Sequence, residues 1–236
     1  MKRKLSGILV AAMALALIVG TSTRADAAFF AAVCNDLACT GGDDIIVQDN
    51  MAGDTIPTAG AINFSVAAFG YSLLVNTSQS KPVIGSAASP QLDLTFTATN
   101  TAPAGNIFLF ASDTDFSGAH SFSLTLGGTN SGGSGSVTGR AWGGTNNNNF
   151  PANFSAANLL GTIGPLSGTP FSGSASGSLI PTVTPYALTI GVQINRPTAG
   201  TTTGDLNLSV PEPATMALFG LGLFGFGAAS RRRKRQ

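Results

Sequence analysis

Aspartates are the most numerous side chains here that could do chemistry. Of 236 residues, the only Glu is Glu212 and the only His is His120. Asp36, Asp43, Asp44, Asp49 and Asp54 crowd one stretch, and Asp113 and Asp115 form a separate D-x-D. Hard carboxylate oxygens gathered in loops are what Ca2+ binds. Calcium is therefore the one metal this inventory suggests, with Asp113 and Asp115 as its candidate ligands; no other cofactor is expected. The same residues also suit turns, because Asp caps its own backbone and tolerates tight bends. Asp113-Thr114-Asp115 ends an apolar run, where a turn is expected, and the spacing is not that of an EF-hand loop.

Other chemistries find less material. A Ser–His–Asp arrangement has only His120 to use, and Gly173-Ser174-Ala175-Ser176-Gly177 places Ala where a G-x-S-x-G elbow needs its nucleophile. An acid pair for glycoside hydrolysis would have to come from Asp93, Asp113, Asp115 and Asp205, and nothing in the sequence pairs them. A secreted Asp-based hydrolase therefore ranks behind a non-enzymatic protein. Cys34 and Cys39 are the only cysteines. Their C-x4-C spacing, without a second pair or a nearby His, is not a zinc pattern, and in an oxidising compartment it predicts a small structural disulfide. Trp142 is the only Trp, flanked by Gly143-Gly144 and followed by Asn146, Asn147, Asn148 and Asn149. An exposed indole beside Asn146 and Asn147 would make a glycan contact, since aromatic faces stack on sugar rings and amides bond hydroxyls. The competing expectation is a Trp that anchors a glycine-rich loop to the core.

These side chains need a scaffold, and the pattern between the ends is one of strands. Apolar residues alternate at Ile62, Phe64, Val66; at Leu92, Leu94, Phe96, Ala98; at Phe122, Leu124, Leu126; and at Leu206, Leu208, Val210. The longest series is Tyr186, Leu188, Ile190, Val192, Ile194, with Ala187, Thr189, Gly191, Gln193 and Asn195 expected on a solvent face. Asn106 to Ala111 is more continuous, as an inner strand would be. Turn-forming clusters separate these runs. The expected fold is all-β, an antiparallel β-sandwich of jelly-roll-like form. No short repeat supports a β-helix. Pairs such as Thr95/Thr97 and Thr182/Thr184 do not recur at fixed spacing, so no regular Thr array is expected. In Gly127 to Asn149, 16 of 23 residues are Gly, Ser or Asn. That composition predicts one long loop or a weak hairpin around Val137.

The two ends differ in kind. Residues 1–27 have a basic start, an uncharged run from Leu5 to Val19, and an A-x-A site at Ala25 and Ala27, the pattern of a cleaved secretory signal peptide. At the other end, Val210-Pro211-Glu212-Pro213-Ala214 precedes an uncharged segment 214–230, and Arg231, Arg232, Arg233, Lys234 and Arg235 follow it. The segment is just long enough to span a bilayer as a helix, and the basic cluster would stay cytoplasmic. The expected organisation is a signal peptide at 1–27, an exported β-sandwich at 28–209 and a sorting segment at 210–236.

The order of these three C-terminal parts resembles the PEP-CTERM sorting signal of Gram-negative bacteria. The resemblance covers only about the last 27 residues. It implies recognition by a membrane exosortase, cleavage near Pro211-Glu212-Pro213, and release or transfer from the inner membrane to the cell surface. It also implies association with extracellular polysaccharide or biofilm matrix. Charge fits an extracellular role. The whole chain carries a net +1, yet residues 28–209 hold only Lys81, Arg140 and Arg196 against nine Asp, a net −6. Nucleic acid is excluded as a partner on that balance, and neutral glycans or divalent cations are allowed.

Overall fold

The computed structural model describes residues 29–118, 120–149 and 158–211. The expected signal peptide with Ala25 and Ala27, the motif residues Glu212 and Pro213, the segment 214–230 and the basic cluster from Arg231 to Arg235 lie outside the described residues. The described residues form twelve strands: β1 Phe30–Cys34, β2 Ile45–Gln48, β3 Ala61–Ala68, β4 Tyr71–Gln79, β5 Gln91–Asn100, β6 Ala104–Phe116, β7 His120–Ser131, β8 Ser136–Gly143, β9 Leu159–Leu166, β10 Phe171–Leu179, β11 Tyr186–Arg196 and β12 Gly200–Ser209.

They form two six-stranded antiparallel sheets, β2-β1-β6-β11-β8-β9 and β10-β7-β12-β5-β4-β3. The last eight strands pair as one long hairpin wound around a barrel would: β5 with β12, β6 with β11, β7 with β10 and β8 with β9. That is the strand order of a jelly roll. The pairs β1–β2 and β3–β4 extend one sheet each. Inward residues of both sheets make one core: Leu92, Leu94 and Phe96 from β5 and Leu206 and Leu208 from β12 face Ile107 and Leu109 from β6 and Leu188, Ile190, Val192 and Ile194 from β11.

The strict alternation of β5, apolar inward and polar outward, persists over nine residues, and the tenth, Asn100, turns a polar side chain inward. On β11 the expectation is overturned. Ala187, Thr189 and Gly191 are buried instead of facing water. The outer surface of this sheet carries a second apolar cluster, built from Ala32, Cys34, Cys39, Phe108, Phe110 and Trp142. Phe110 reaches across the strand because Gly191 has no side chain; a Cβ there would lie 2.4 Å from Phe110 Cδ1. A period of two in the sequence reports a two-sided strand but does not say that both sides are covered.

The Gly/Ser/Asn stretch is neither one loop nor a hairpin. Gly127 to Ser131 finishes β7 in one sheet, Gly132 to Gly135 crosses over, and β8 opens the other sheet. Its glycines serve contact: a Cβ at Gly139 would lie 2.8 Å from Leu206 Cδ1. The same logic explains β10, whose sequence Phe-Ser-Gly-Ser-Ala-Ser-Gly-Ser-Leu shows no apolar alternation. A Cβ at Gly173 would lie 2.5 Å from Ile163 Cγ2, so a side chain of the facing sheet occupies the place of its own.

Candidate functional site

The outer face of the second sheet is polar. Strand register brings hydroxyls and amides from four strands into rows. Thr203 pairs with Thr97 on one side and Thr129 on the other; Asn207 pairs with Asp93 and Thr125. Ser172, Ser174, Ser176 and Ser178 of β10 extend the face. The hydroxyls bond across strands, Thr99 to Thr201 at 3.0 Å and Thr129 to Thr203 at 2.8 Å. A hydroxyl array therefore exists where none was expected. It runs across the strands, so no spacing along the chain encodes it.

Two carboxylates sit in the middle of this face. Asp93 and Asp205 lie in neighbouring rows, and Thr95 Oγ1 contacts both, at 3.3 Å from Asp93 Oδ2 and 3.4 Å from Asp205 Oδ1. Asn207 Nδ2 donates to Asp93 Oδ1 at 3.3 Å. Partial burial, a carboxyl–carboxyl hydrogen bond with Asp205 and that group's charge together push the Asp93 carboxyl up to about 6. Beside Asp205 the surface dips into an open depression of about 660 Å³, floored by Gly127 and Gly173 and rimmed by Thr125, Ser172 and Ser174. Gly127, which lies between Ser172 and Asp205 and has no side chain, leaves this dent in an otherwise level sheet.

The Asp93 shift has a testable sign. Its folded value lies above the ordinary 3.8. Its stabilising contribution is thus complete below about pH 4 and disappears as pH rises through about 6. Since the group is only half-buried, screening by water holds the effect to about 1 kcal/mol. Asp205→Asn removes the like charge, and melting temperatures followed from about pH 4 to pH 7.5 are expected to fall less steeply than in the wild type. An unchanged slope would show that the two carboxyls do not interact.

The other sequence-predicted residues are placed differently. Asp113 is an interior residue. Strand β6 continues past it to Phe116, so it follows Ile107, Leu109 and Ala111 onto the inward face, 0% exposed. Its Oδ2 accepts from Lys81 Nζ at 2.8 Å and Ser80 Oγ at 2.5 Å, and its Oδ1 from the Thr114 N–H at 2.7 Å. Burial pushes this carboxyl up, while Lys81 and Ser80 pull against it. Asp115 turns elsewhere: Asn147 Nδ2 donates to its Oδ1 at 2.8 Å and its own N–H donates to Asn147 Oδ1 at 2.9 Å. The two residues named for calcium thus serve different partners, Asp113 the Lys81 ammonium and Asp115 the Asn147 amide.

Trp142 is 3% exposed and packs at 6.2 Å and 59° against Phe110. The glycan contact required an exposed indole; the covered outer face buries it. Asn147 is committed to Asp115, and the Asn146 carbonyl accepts the Ala187 N–H at 2.8 Å. The Asn run thus ties its loop to β6 and β11. Cys34 and Cys39 form the expected disulfide, with Cα atoms 5.3 Å apart. His120 begins β7. Val210 is fully buried and its N–H donates to the Pro90 carbonyl at 2.9 Å, while Pro211 is exposed.

The chain therefore leaves the sandwich at Val210-Pro211, and the tail that begins there decides what kind of protein this is. Residues 209–234 match the model of the PEP-CTERM protein-sorting motif. The chain carries this sorting motif. The match covers the tail alone, and the motif places the protein among exported chains that pass through a membrane-anchored intermediate to the cell surface or beyond.

No curated protein matches the chain. Solved structures show only distant likeness. TmCBM61 in complex with beta-1,4-galactotriose is 8% identical, over 60% of this chain and 88% of that one, with a TM-score of 0.34. The K1 cleaved adhesin domain of Lys-gingipain from Porphyromonas gingivalis W83 is 9% identical over 63% and 94%, with a TM-score of 0.32. A PA14 sugar-binding domain from an RTX adhesin is 6% identical over 78% and 98%, with a TM-score of 0.31. At such scores none of them bears on what this chain binds.

Proposed function

We propose that this chain is an exosortase-processed surface or extracellular-matrix protein whose sandwich is structural and adhesive rather than enzymatic. The sorting motif carries this reading. The way the fold ends supports it. The first motif residue, Val210, is part of the core and the next, Pro211, is exposed, so cleavage at Pro211-Glu212-Pro213 removes the tail without opening the sandwich. The membrane holds the protein only until that cleavage. In an exosortase-deletion strain, and for Glu212→Ala in a wild-type strain, the protein is expected to stay in the membrane fraction at its uncleaved mass. Unchanged mature mass in both would overturn the processing.

Adhesion belongs to the hydroxyl-rich face and its depression. Thr, Ser and Asn side chains offer donors and acceptors together, as a neutral polysaccharide does, and the net −6 of residues 28–209 disfavours anionic polymers. Exposed aromatic rings are absent from the large apolar side chains that face solvent among the described residues, so attachment rests on hydrogen bonds. Ser174→Arg, which fills the depression, is expected to abolish retardation of the protein in gels containing the producing strain's exopolysaccharide. Equal wild-type mobility with and without the polymer would end the adhesive part. The Asp93–Asp205 pair lies on an open sheet face, without the water-excluding cleft that acid–base chemistry uses.

A further inference from the structure

The two poles of the sandwich differ in what they show to water. Strand β12 runs to Ser209, which pairs with Gln91 at the start of β5 and with Ser123 near the start of β7. β10 ends at Leu179 opposite His120, and β11 starts at Tyr186 opposite Phe116, the last residue of β6. The connections 49–60, 80–90, 144–149 and 180–185 therefore gather at the pole where the chain leaves through Val210-Pro211. Backbone bonds join them there: Ser117 N–H to the Ala87 carbonyl at 2.8 Å, Thr182 N–H to the Gly144 carbonyl at 2.7 Å, and Val210 N–H to the Pro90 carbonyl at 2.9 Å. β1 starts toward the same pole, since Phe30 pairs with Gln48 and Ser112. The expected membrane segments at 1–27 and 214–230 thus join the sandwich from one side.

Eight large apolar side chains face solvent among the described residues, and five of them belong to this pole: Met51, Val83, Leu159, Ile180 and Val183. Ile180 is 78% exposed and Met51 59%. Charge is distributed the other way. Of the described Asp, Lys and Arg residues only Asp43 and Asp205 are exposed, Asp43 in the β1–β2 connection at the far pole and Asp205 within β12. At the exit pole Lys81 and Asp113 are buried together, Asp49 and Asp54 accept backbone N–H groups, and Asp115 holds Asn147. The rim around the departing chain is apolar, without an exposed Asp, Lys or Arg.

The tail determines what lies opposite this rim. Val210 is a core residue, and the uncharged segment starts at Ala214. Four fully extended residues span at most about 14 Å. The headgroup layer between hydrocarbon and water is itself about 5–8 Å thick. In the membrane-anchored intermediate the pole is therefore held against the bilayer surface. So short a tether gives an effective concentration on the order of mM, at which shallow apolar contacts are enough.

We propose that this pole is a lipid-docking surface, seating the anchored domain on the zwitterionic headgroups of the bilayer through Met51, Val83, Leu159, Ile180 and Val183. The inference rests on the sorting reading above, which supplies the anchored intermediate. Neutral headgroups fit better than anionic ones, because Asp49, Asp54 and Asp115 belong to the same pole. Docking keeps Pro211-Glu212-Pro213 at the membrane surface, within reach of a membrane enzyme. Once the tail is cut the tether is lost, and the same side chains hold too weakly to retain the protein.

The test uses the uncleaved chain from an exosortase-deletion strain, reconstituted in vesicles of phosphatidylethanolamine and acyl-brominated phosphatidylcholine. Flotation with the vesicles reports anchoring. Tryptophan emission reports lipid contact, because bromine quenches an indole that enters the acyl boundary; buried Trp142 is a background common to all variants. Ile180→Trp is expected to lose emission relative to unbrominated vesicles, and Leu74→Trp, on the outer face of β4, to keep it. Adding Met51→Asp and Val183→Asp to Ile180→Trp should restore the emission at unchanged Tm, whereas a loss caused by the tether alone would persist. In a chain that floats, no loss with Ile180→Trp, an equal loss with Leu74→Trp, or a loss that survives both Asp substitutions would overturn the docking. Unquenched vesicles combined with slower maturation of Met51→Asp/Val183→Asp in cells would assign the pole to the processing enzyme and also overturn it. A chain that does not float would overturn the anchored intermediate itself, and the docking with it.

Discussion

Lys81→Met is expected to destabilise the sandwich by about 3–5 kcal/mol, because it strands a buried carboxylate. Asp113 lies between the sheets, 0% exposed, and among the described residues Lys81 Nζ is its only cationic partner, at 2.8 Å. The same ammonium donates to the Thr114 carbonyl and stands 4.3 Å from the centre of the Phe116 ring. Methionine keeps the apolar stem and removes all three interactions. The Asp113 carboxyl, already pushed up by burial, would then rise further. A folded value above the unfolded one means stability that is present at low pH and lost as pH rises. The deficit against wild type should therefore be larger near pH 7 than near pH 4. Urea unfolding at both values checks this, and Lys81→Met/Asp113→Leu should regain most of the loss. A deficit below about 1 kcal/mol at pH 7, the range of a surface pair, would contradict the account.

The second large effect is expected at Arg196, which is 0% exposed and has no carboxylate partner among the described residues. Its guanidinium donates from Nε to Asn100 Oδ1 at 3.0 Å, from one terminal nitrogen to Thr202 Oγ1 at 2.9 Å and from the other to the Ser131 carbonyl at 2.9 Å. One side chain thus joins the ends of β5, β7, β11 and β12, tying both sheets together at one end of the sandwich. Glycines make room for it: a Cβ at Gly135 would lie 2.9 Å from one terminal nitrogen, and a Cβ at Gly200, where φ is +153°, would all but overlap the other. Arg196→Met leaves the buried Asn100 and Thr202 oxygens and the part-buried Ser131 carbonyl short of a donor, and each fully buried group costs about 1–3 kcal/mol. A total of at least 3 kcal/mol should lower Tm by roughly 6–12 °C for a domain of this size. Arg196→Lys should recover little, since an ammonium cannot reproduce the planar fork. Full recovery with lysine would show that charge rather than geometry matters here.

Both effects concern residues that look unremarkable in the sequence. Lys81 and Asp113 are 32 positions apart, and Arg196 is 96 from Asn100. The D-x-D was legible as chemistry but not as a partner of Lys81, because the strand that carries Asp113 turned out longer than its apolar run. The same limit applied to the candidate site. Asp93 and Asp205 were visible as carboxylates, but their meeting depends on the β5–β12 register, which is fixed by core packing on the opposite face.

What the sequence by itself determined was local or terminal. Alternation set the strands of β5, β7 and β12; the C-x4-C spacing set the disulfide; and the tail carried its own address, because a sorting motif is read as a linear peptide. What only the tertiary structure decided was everything that depends on which strand lies beside which. It buried Trp142 and the outer face of β11, and it aligned Thr97, Thr203 and Thr129 into rows. It also put Gly173 under Ile163 of the facing sheet. A strand's period names its two faces, but only its neighbours decide which of them water can reach.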